Sequence, residues 1–153
     1  MGSEKVREYF KSINEEDKIV VHSVKTDTVS NAAKELGCEE AQICKTMAFL
    51  VGEEAIVIAM TGDAKIDNAK YKSAFHKKAK MVPIDEVERI IGHIPGGVCP
   101  FAVNDGVKVY LDESLKRFDI VYAAAGSPET TIGVTIEELE RFSLYDSWVD
   151  VCK

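Results

Sequence analysis

The residues best placed to do chemistry are a lysine at the start of an apolar run and a glycine-rich loop further along the chain. Lys45 lies in the run 43–51, whose other members suit a buried strand. The loop consists of Gly96, Gly97, Val98, Cys99 and Pro100. Glycines let backbone N–H groups approach a ligand closely, and a cation facing such groups can stabilise a polarised carbonyl or bind a phosphate. The pair predicts a site for a polarised carbonyl or a phosphate group.

Each of these features also has a plain structural interpretation. A lysine among apolar residues either extends its ammonium to water or meets a carbonyl or anionic partner in a cleft. The loop could be an ordinary tight connection. Cys44 and Cys99 could be nucleophiles, but neither has a base beside it in the sequence, and a buried free cysteine commonly acts as a small hydrophobic residue.

The sequence contains no pattern that indicates a metal or a cofactor. His22, His76 and His93 do not have ligand spacing, and Cys38, Cys44, Cys99 and Cys152 include no C-x-x-C pair. Ser-His-Asp order, H-E-x-x-H, a P-loop and G-x-G-x-x-G are all missing. We therefore expect chemistry without metal or cofactor, and reduced thiols.

Length and charge limit the class of protein. The 153 residues fit one domain over 1–153, and no apolar run approaches the roughly 20 residues that a membrane span needs. The first residues lack the long apolar stretch of a signal peptide, so we expect a cytoplasmic protein. A net charge of −7 argues against a general nucleic-acid coat, because phosphate binding needs positive charge.

One basic strip interrupts this acidic chain. Residues 65–80 contain six lysines and the single acid Asp67. The strip has two interpretations: with Tyr71 and Phe75 interleaved it could bind an RNA backbone and stack a base, or it could be a solvated helix face whose aromatic residues turn to the core. For the first interpretation the candidate RNA-binding residues are Lys70, Lys72, Lys77 and Lys78.

Apolar periodicity and capping residues predict alternating helices and strands. Helices are expected from the N-cap Ser3, from Thr28 to Gly37, from Asp67 to about 76, after Pro83 with an Asp85 and Glu88 capping pair, and from Thr135 with Glu138. Strands are expected at 18–24, 45–51, 55–60, 80–82, 107–111, 118–124 and 131–134, and the tail with Trp148 should pack on the body. Several strands are joined too tightly for parallel crossovers, so the fold is α/β or α+β with a mixed sheet.

Read together, these residues resemble the YbaK/ProX family of aminoacyl-tRNA deacylases, which includes the editing domain of bacterial prolyl-tRNA synthetases. The similarity covers about residues 20–142. It rests on the segments Ala32-Ala33 with Leu36-Gly37, Ile43-Cys44-Lys45-Thr46, Gly62-Asp63 with Ile66-Asp67, Gly96 to Pro100, and Ala125-Gly126. The G-x-x-x-P pattern alone is weak, but in register with the upstream lysine and the Gly-Asp turn it is fairly specific.

The resemblance implies a mixed, partly closed sheet surrounded by helices, and hydrolysis of the ester that joins a mischarged amino acid to tRNA. Lys45 would be catalytic, and the loop 96–100 would surround the ester together with Thr46, His22, Gly126 and Ser127. Thr46 replaces an asparagine of some relatives, which is more similar to the branch that acts on Cys-tRNA(Pro) than to the Ala-specific branch. The partners implied are the acceptor end of tRNA and prolyl-tRNA synthetase. The alternative is a module that binds tRNA or a synthetase without catalysis.

Overall fold

The computed structural model describes residues 2–153, with side chains from Glu4 onward, and helices alternate with strands along this part of the chain. The helices are α1 (Gly2–Ser12), α2 (Val29–Leu36), α3 (Asn68–Phe75), α4 (Val87–Ile91) and α5 (Ile136–Ser143). The strands are β1 (Ile19–Val21), β2 (Ile43–Val51), β3 (Glu54–Thr61), β4 (Lys108–Asp112), β5 (Ile120–Ala124), β6 (Thr130–Thr135) and β7 (Ser147–Val149). None of the described helices is long and apolar enough to cross a membrane.

Side-chain caps fix where three of the helices begin, as the sequence predicted. The Thr28 hydroxyl accepts a hydrogen bond from a backbone N–H in the first turn of α2, and the Asp67 carboxylate accepts two in α3. Thr135 and Glu138 form a reciprocal capping box on α5. Such caps satisfy N–H groups that have no partner within the helix. Gly37 ends α2 in the left-handed conformation, with φ of +69°.

The strands form one mixed sheet, which confirms the predicted fold class. Their order is β1-β6-β5-β2-β3-β4-β7. The pairs β1/β6, β5/β6 and β2/β3 are antiparallel, whereas β2/β5, β3/β4 and β4/β7 are parallel. The hairpin of β2 and β3 lies in the middle, which explains why both strands are apolar almost throughout.

Alternation along β2 places its side chains on two faces of the sheet. Cys44 and Ala48 pack into the larger core with α1, α4 and α5. On the opposite face, Ile43 packs under α2, and Phe49 packs against Tyr71 of α3. Because side chains alternate along a strand, Lys45 belongs to the face that carries α2 and α3 and lies between the two helices.

β2 and β5 run side by side over a very short distance. Their parallel register consists of Ile43 with Tyr122 and Cys44 with Ala123. Beyond Cys44, β2 continues for seven residues, but β5 ends at Ala124. The sheet is therefore interrupted beside Lys45 and Thr46, and a cavity can form at that point.

Two of the predicted strands differ from the structure. The strand expected at 18–24 is only Ile19–Val21, because the N–H groups of His22 and Thr26 donate to the carbonyl oxygens of Glu129 and Pro128 in the turn before β6. His22 therefore follows the strand and does not lie within it. Residues 80–82 form only an isolated bridge between Met81 and Phe49.

Other differences concern element ends. A short 3-10 turn (Ile84–Glu86) precedes α4, and no side-chain hydrogen bond caps either, so the Asp85 and Glu88 capping pair is not formed. The tail packs on the body as expected, but it also adds the strand β7 next to β4. α1 already includes position 3, and the predicted capping role of Ser3 concerns a side chain outside the described residues.

Candidate active site

A cavity of about 200 Å³ lies where β2 and β5 separate. Three chain segments surround these strands: the start of α2, the loop at 96–98, and Thr131 of β6. The cavity is lined by Thr26, Asp27, Thr28, Val29, Ala32, Leu36, Ile43, Cys44, Lys45, Thr46, Gly96, Val98, Tyr122, Ala123, Ala124 and Thr131. The structure thus brings Lys45 and the glycine-rich loop to one pocket, as the sequence predicted.

The ammonium of Lys45 is oriented by backbone carbonyl groups. Its Nζ donates to the oxygen of Ala64 at 2.5 Å and to that of Gly62 at 3.4 Å. Both acceptors lie in the turn between β3 and α3. An ammonium has three N–H donors, so one remains for a ligand. Partial burial lowers the pKa of Lys45, with smaller opposing contributions from Cys152 and Asp63.

Thr46 contributes an unpaired hydroxyl. Within the described residues, Thr46 Oγ1 is buried and has no hydrogen-bond partner. A buried polar atom without a partner costs roughly 1–3 kcal/mol of stability. Thr46 is among the residues that line the cavity, but its hydroxyl is buried and is not exposed to the cavity in this structure.

The glycine-rich loop is held in place by a second turn. A Cβ at Gly97 would come within 2.5 Å of the backbone of Gly126 and Ser127, so the two backbones are in direct contact. Gly96 has φ of +87°, in the left-handed region that favours glycine. The Ser127 hydroxyl pairs with that of Thr130 at 2.8 Å within the turn.

The predicted substrate-binding residues therefore divide into two groups. Thr46, Gly96 and Val98 line the cavity, but Gly97, Gly126 and Ser127 lie behind its wall, and Cys99 and Pro100 are buried. His22 does not line it either: its Nε2 is 2.7 Å from the Thr131 hydroxyl and its Nδ1 is 3.3 Å from a carboxylate oxygen of Glu35. It acts on the cavity only through Thr131.

The thiols of Cys44 and Cys99, next to the site, are both buried. His93 Nε2 lies 3.6 Å from Cys99 Sγ, but this nitrogen carries the proton that it donates to the Phe101 carbonyl at 2.7 Å, so it is not a base for the thiol. In addition, burial raises the pKa of both Cys99 and Cys44 to about 12 and lowers that of His93 to about 4. Neither thiolate nor imidazolium is favoured, which removes the basis for thiol catalysis. No group of three or more potential metal ligands occurs among the described residues.

The basic strip is not uniform. Lys72 and Lys78 line a second, open groove of about 500 Å³ together with Asn68, Ala69 and Ala79. Lys70, by contrast, donates to Asp150 at 3.1 Å and to the carbonyl of Cys152 at 2.9 Å. The aromatic residues Tyr71 and Phe75 pack in the core with Phe49 and Tyr110. Of the two interpretations of the strip, the structure therefore favours the helix face whose aromatic residues turn to the core.

Sequence reasoning missed the part of the pocket that α2 contributes. Val29, Ala32 and Leu36 were predicted to lie in a helix, two of them within segments that carry the family resemblance, but none was predicted to line the site, and Asp27 was not singled out. Their apolar spacing is the same as that of any core-facing helix. Only the separation of β2 from β5 turns this face into a cavity wall.

The fold is that of an aminoacyl-tRNA editing domain. The sequence profile of the family described as aminoacyl-tRNA editing domain matches residues 23–142, and the chain belongs to this family. Its function is therefore the editing of aminoacyl-tRNA in general terms, which is a hydrolytic reaction.

Individual relatives agree with this assignment. The chain is 41% identical to "Uncharacterized protein YwhH" of Bacillus subtilis, over 100% of this chain and 98% of that one. It is 25% identical to the "Putative Cys-tRNA(Pro)/Cys-tRNA(Cys) deacylase EbsC" of Enterococcus faecalis, over 71% and 72% of the two chains. A solved structure described as "a putative trans-editing enzyme for prolyl tRNA synthetase" superimposes with a TM-score of 0.88, at 25% identity and over 99% and 97% of the chains.

Proposed function

We propose that this protein hydrolyses the ester of mischarged tRNA(Pro), with cysteine or alanine as the amino acid removed. The observation that carries the proposal is that Lys45, whose ammonium has one N–H donor left, lines one cavity together with Thr46 and the loop at 96–98. The related proteins with deacylase and trans-editing names support the same substrate class. Prolyl-tRNA synthetase is then the enzyme that produces the mischarged tRNA.

The size and lining of the cavity favour a small side chain. Its volume of about 200 Å³ is below the roughly 300–1,000 Å³ typical of sites for drug-sized ligands. Val29, Ala32, Leu36 and Ile43 supply an apolar wall. One methylene group changes affinity by only about 1–3 kcal/mol, so cysteine and alanine must be separated by experiment.

The reaction needs no general base from the protein in this proposal. Lys45 donates its third N–H to the ester carbonyl and stabilises the negative charge that develops on its oxygen. Thr46 donates a further hydrogen bond. A water molecule, positioned by the free hydroxyl of the terminal ribose, attacks the carbonyl carbon, and the bond to the ribose oxygen breaks as that oxygen takes up a proton.

The exposed lysines of the basic strip would bind the tRNA backbone. Lys45 lies on the sheet face that carries α3, and its carbonyl partners immediately precede that helix. A strand leaving the cavity past α3 would meet Lys72 and Lys78 in the second groove, with Lys77 beside them in the sequence. Lys70 contributes less, since its ammonium is already bound to Asp150.

The first experiment incubates tRNA(Pro) charged with cysteine, alanine or proline with the protein and follows ester loss. We expect cleavage of one of the two mischarged forms and a loss of roughly 100-fold or more in Lys45→Ala, as for removal of an oxyanion donor. The matched control is Lys65→Ala, which removes an exposed lysine from the same turn region. Wild-type turnover in Lys45→Ala would refute the proposal, and binding of tRNA without ester loss would favour the non-catalytic alternative.

A second experiment separates the role of Thr46 from folding. Thr46→Val keeps the shape but removes the unpaired hydroxyl. We expect deacylation to fall while the free energy of unfolding stays equal or rises by up to about 1–3 kcal/mol, because no hydrogen bond is removed. A destabilised variant would show that the hydroxyl has a structural partner. Cys44→Ala and Cys99→Ala, each tested separately, should retain the chemistry.

A further inference from the structure

The cavity carries one negative group opposite its one positive group. Among the residues that line it, Asp27 and Lys45 are the charged ones. The substrate of the proposed function has matching features, because an aminoacyl ester carries an α-ammonium group beside its carbonyl. If the ester carbonyl binds to Lys45, the α-ammonium group of the substrate must be bound by another part of the cavity wall.

The backbone around Asp27 is held firmly. The preceding residue, Thr26, donates from its N–H and from its hydroxyl to the carbonyl of Pro128, at 2.6 and 3.1 Å. The following residue, Thr28, is the N-cap of α2. The backbone at Asp27 is therefore fixed by two neighbouring elements, and its side chain is exposed.

The carboxylate itself still has capacity to bind a ligand. In the described part of the chain, Asp27 forms no ion pair, and its one side-chain hydrogen bond is accepted by Oδ1 from the amide of Asn31 at 3.4 Å. Oδ2 is left for a ligand. A Cβ placed on Gly96 would lie 3.1 Å from that of Asp27, so the carboxylate stands next to the loop proposed to surround the ester.

We propose that Asp27 binds the α-ammonium group of the aminoacyl ester and makes the site selective for substrates with a free α-amino group. This inference rests on the proposed function. An N-acylated or deaminated ester lacks the charge that pairs with Asp27. Charge-assisted hydrogen bonds are roughly twice as strong as neutral ones, so such esters should be cleaved at least about tenfold more slowly.

The test compares two substrates in two proteins. tRNA(Pro) is charged with alanine or cysteine, and each is matched with the α-hydroxy acid of the same side chain, which has the same shape without the charge. Asp27→Asn retains an oxygen for the bond from Asn31 and removes the negative charge. For the wild type we expect a kcat/KM at least about tenfold higher for the amino acid ester than for the hydroxy acid ester.

In Asp27→Asn this preference should fall about tenfold, because the amino acid ester loses its ion pair whereas the hydroxy acid ester loses only a hydrogen bond. Asp105→Asn, which neutralises an exposed carboxylate that does not line the cavity, should keep the wild-type preference. An unchanged preference in Asp27→Asn, or an equal loss for both esters, would overturn the role of Asp27 alone. If the wild type cleaves no ester, the proposed function fails first, and this inference fails with it.

Discussion

His93 should make the stability of this protein fall steeply between neutral and mildly acidic pH. The side chain is fully buried, and Nε2 lies 2.7 Å from the carbonyl oxygen of Phe101. Since a carbonyl only accepts, the neutral ring carries its proton on Nε2. Nδ1 has no partner among the described residues, so a proton added there would create a buried, unpaired charge.

The size of the effect follows from the pKa. Burial lowers the pKa of His93 from 6.5 to about 4. At about 1.4 kcal/mol per pH unit, this difference corresponds to roughly 3 kcal/mol of unfolding free energy. The unfolded chain takes up the proton first as the pH falls. The stability is therefore complete above about pH 6.5, is lost progressively down to about pH 4, and is not reduced further by this group below that.

The variant His93→Gln isolates this contribution, because glutamine can still donate to Phe101 but does not titrate. Both proteins are unfolded in urea at pH 7.5 and at pH 4.5. Protonation of carboxylates lowers the stability of both proteins equally, so it cancels when the two losses are compared. We expect the wild type to lose about 2–3 kcal/mol more than the variant. His76→Asn, at the exposed C-cap of α3, is the control and should behave as the wild type does. Equal losses in wild type and His93→Gln would refute the reasoning.

Two further predictions concern the loop and the basic strip. Gly97→Ala should destabilise the protein by about 1–3 kcal/mol in urea unfolding and reduce deacylation, because the added Cβ meets the backbone of Gly126; unchanged activity would show that the position of the loop is unimportant. Neutralising Lys72 and Lys78 should flatten the salt dependence of tRNA binding by about 0.7–0.9 in slope for each phosphate that is no longer neutralised, with a smaller change for Lys70→Ala. If all three variants have the same salt dependence of tRNA binding as the wild type, these lysines do not contact tRNA.

Much of the sheet could be predicted because local and long-range preferences agree. The hairpin of β2 and β3 is apolar on both faces, and both faces are in fact covered by helices. The caps Thr28, Asp67 and Thr135 have a local cause and were all found. The β-branched residues predicted a strand that continues to position 24. Instead, backbone N–H groups after position 21 donate to carbonyl oxygens of the turn before β6. The residues at 18–24 contain no pattern from which this interaction could be predicted.

The site was only half visible in the sequence for a related reason. Lys45 is a charged residue in an apolar strand, and the glycines are concentrated in one loop. Residue type alone was therefore enough to predict that they belong to the site. Asp27 is an acid before a helix cap, which is common in any helix of a protein surface. The contact between His93 and Cys99 depends on how the loop folds between them. Neither could be assigned before the path of the backbone was known.

The interruption of the sheet explains how neighbouring residues come to share one site. Lys45 and Thr46 are adjacent in a strand, so their side chains point to opposite faces and would normally be separated by the sheet. Here β5 leaves β2 after Cys44, and both residues line the same cavity. Both residues also depart from the apolar pattern of their strand, one as a partly buried charge and the other as an unpaired hydroxyl. Departures from local folding preference concentrate at functional sites, and in this chain two of them lie at the one point where the central strand lacks a neighbour.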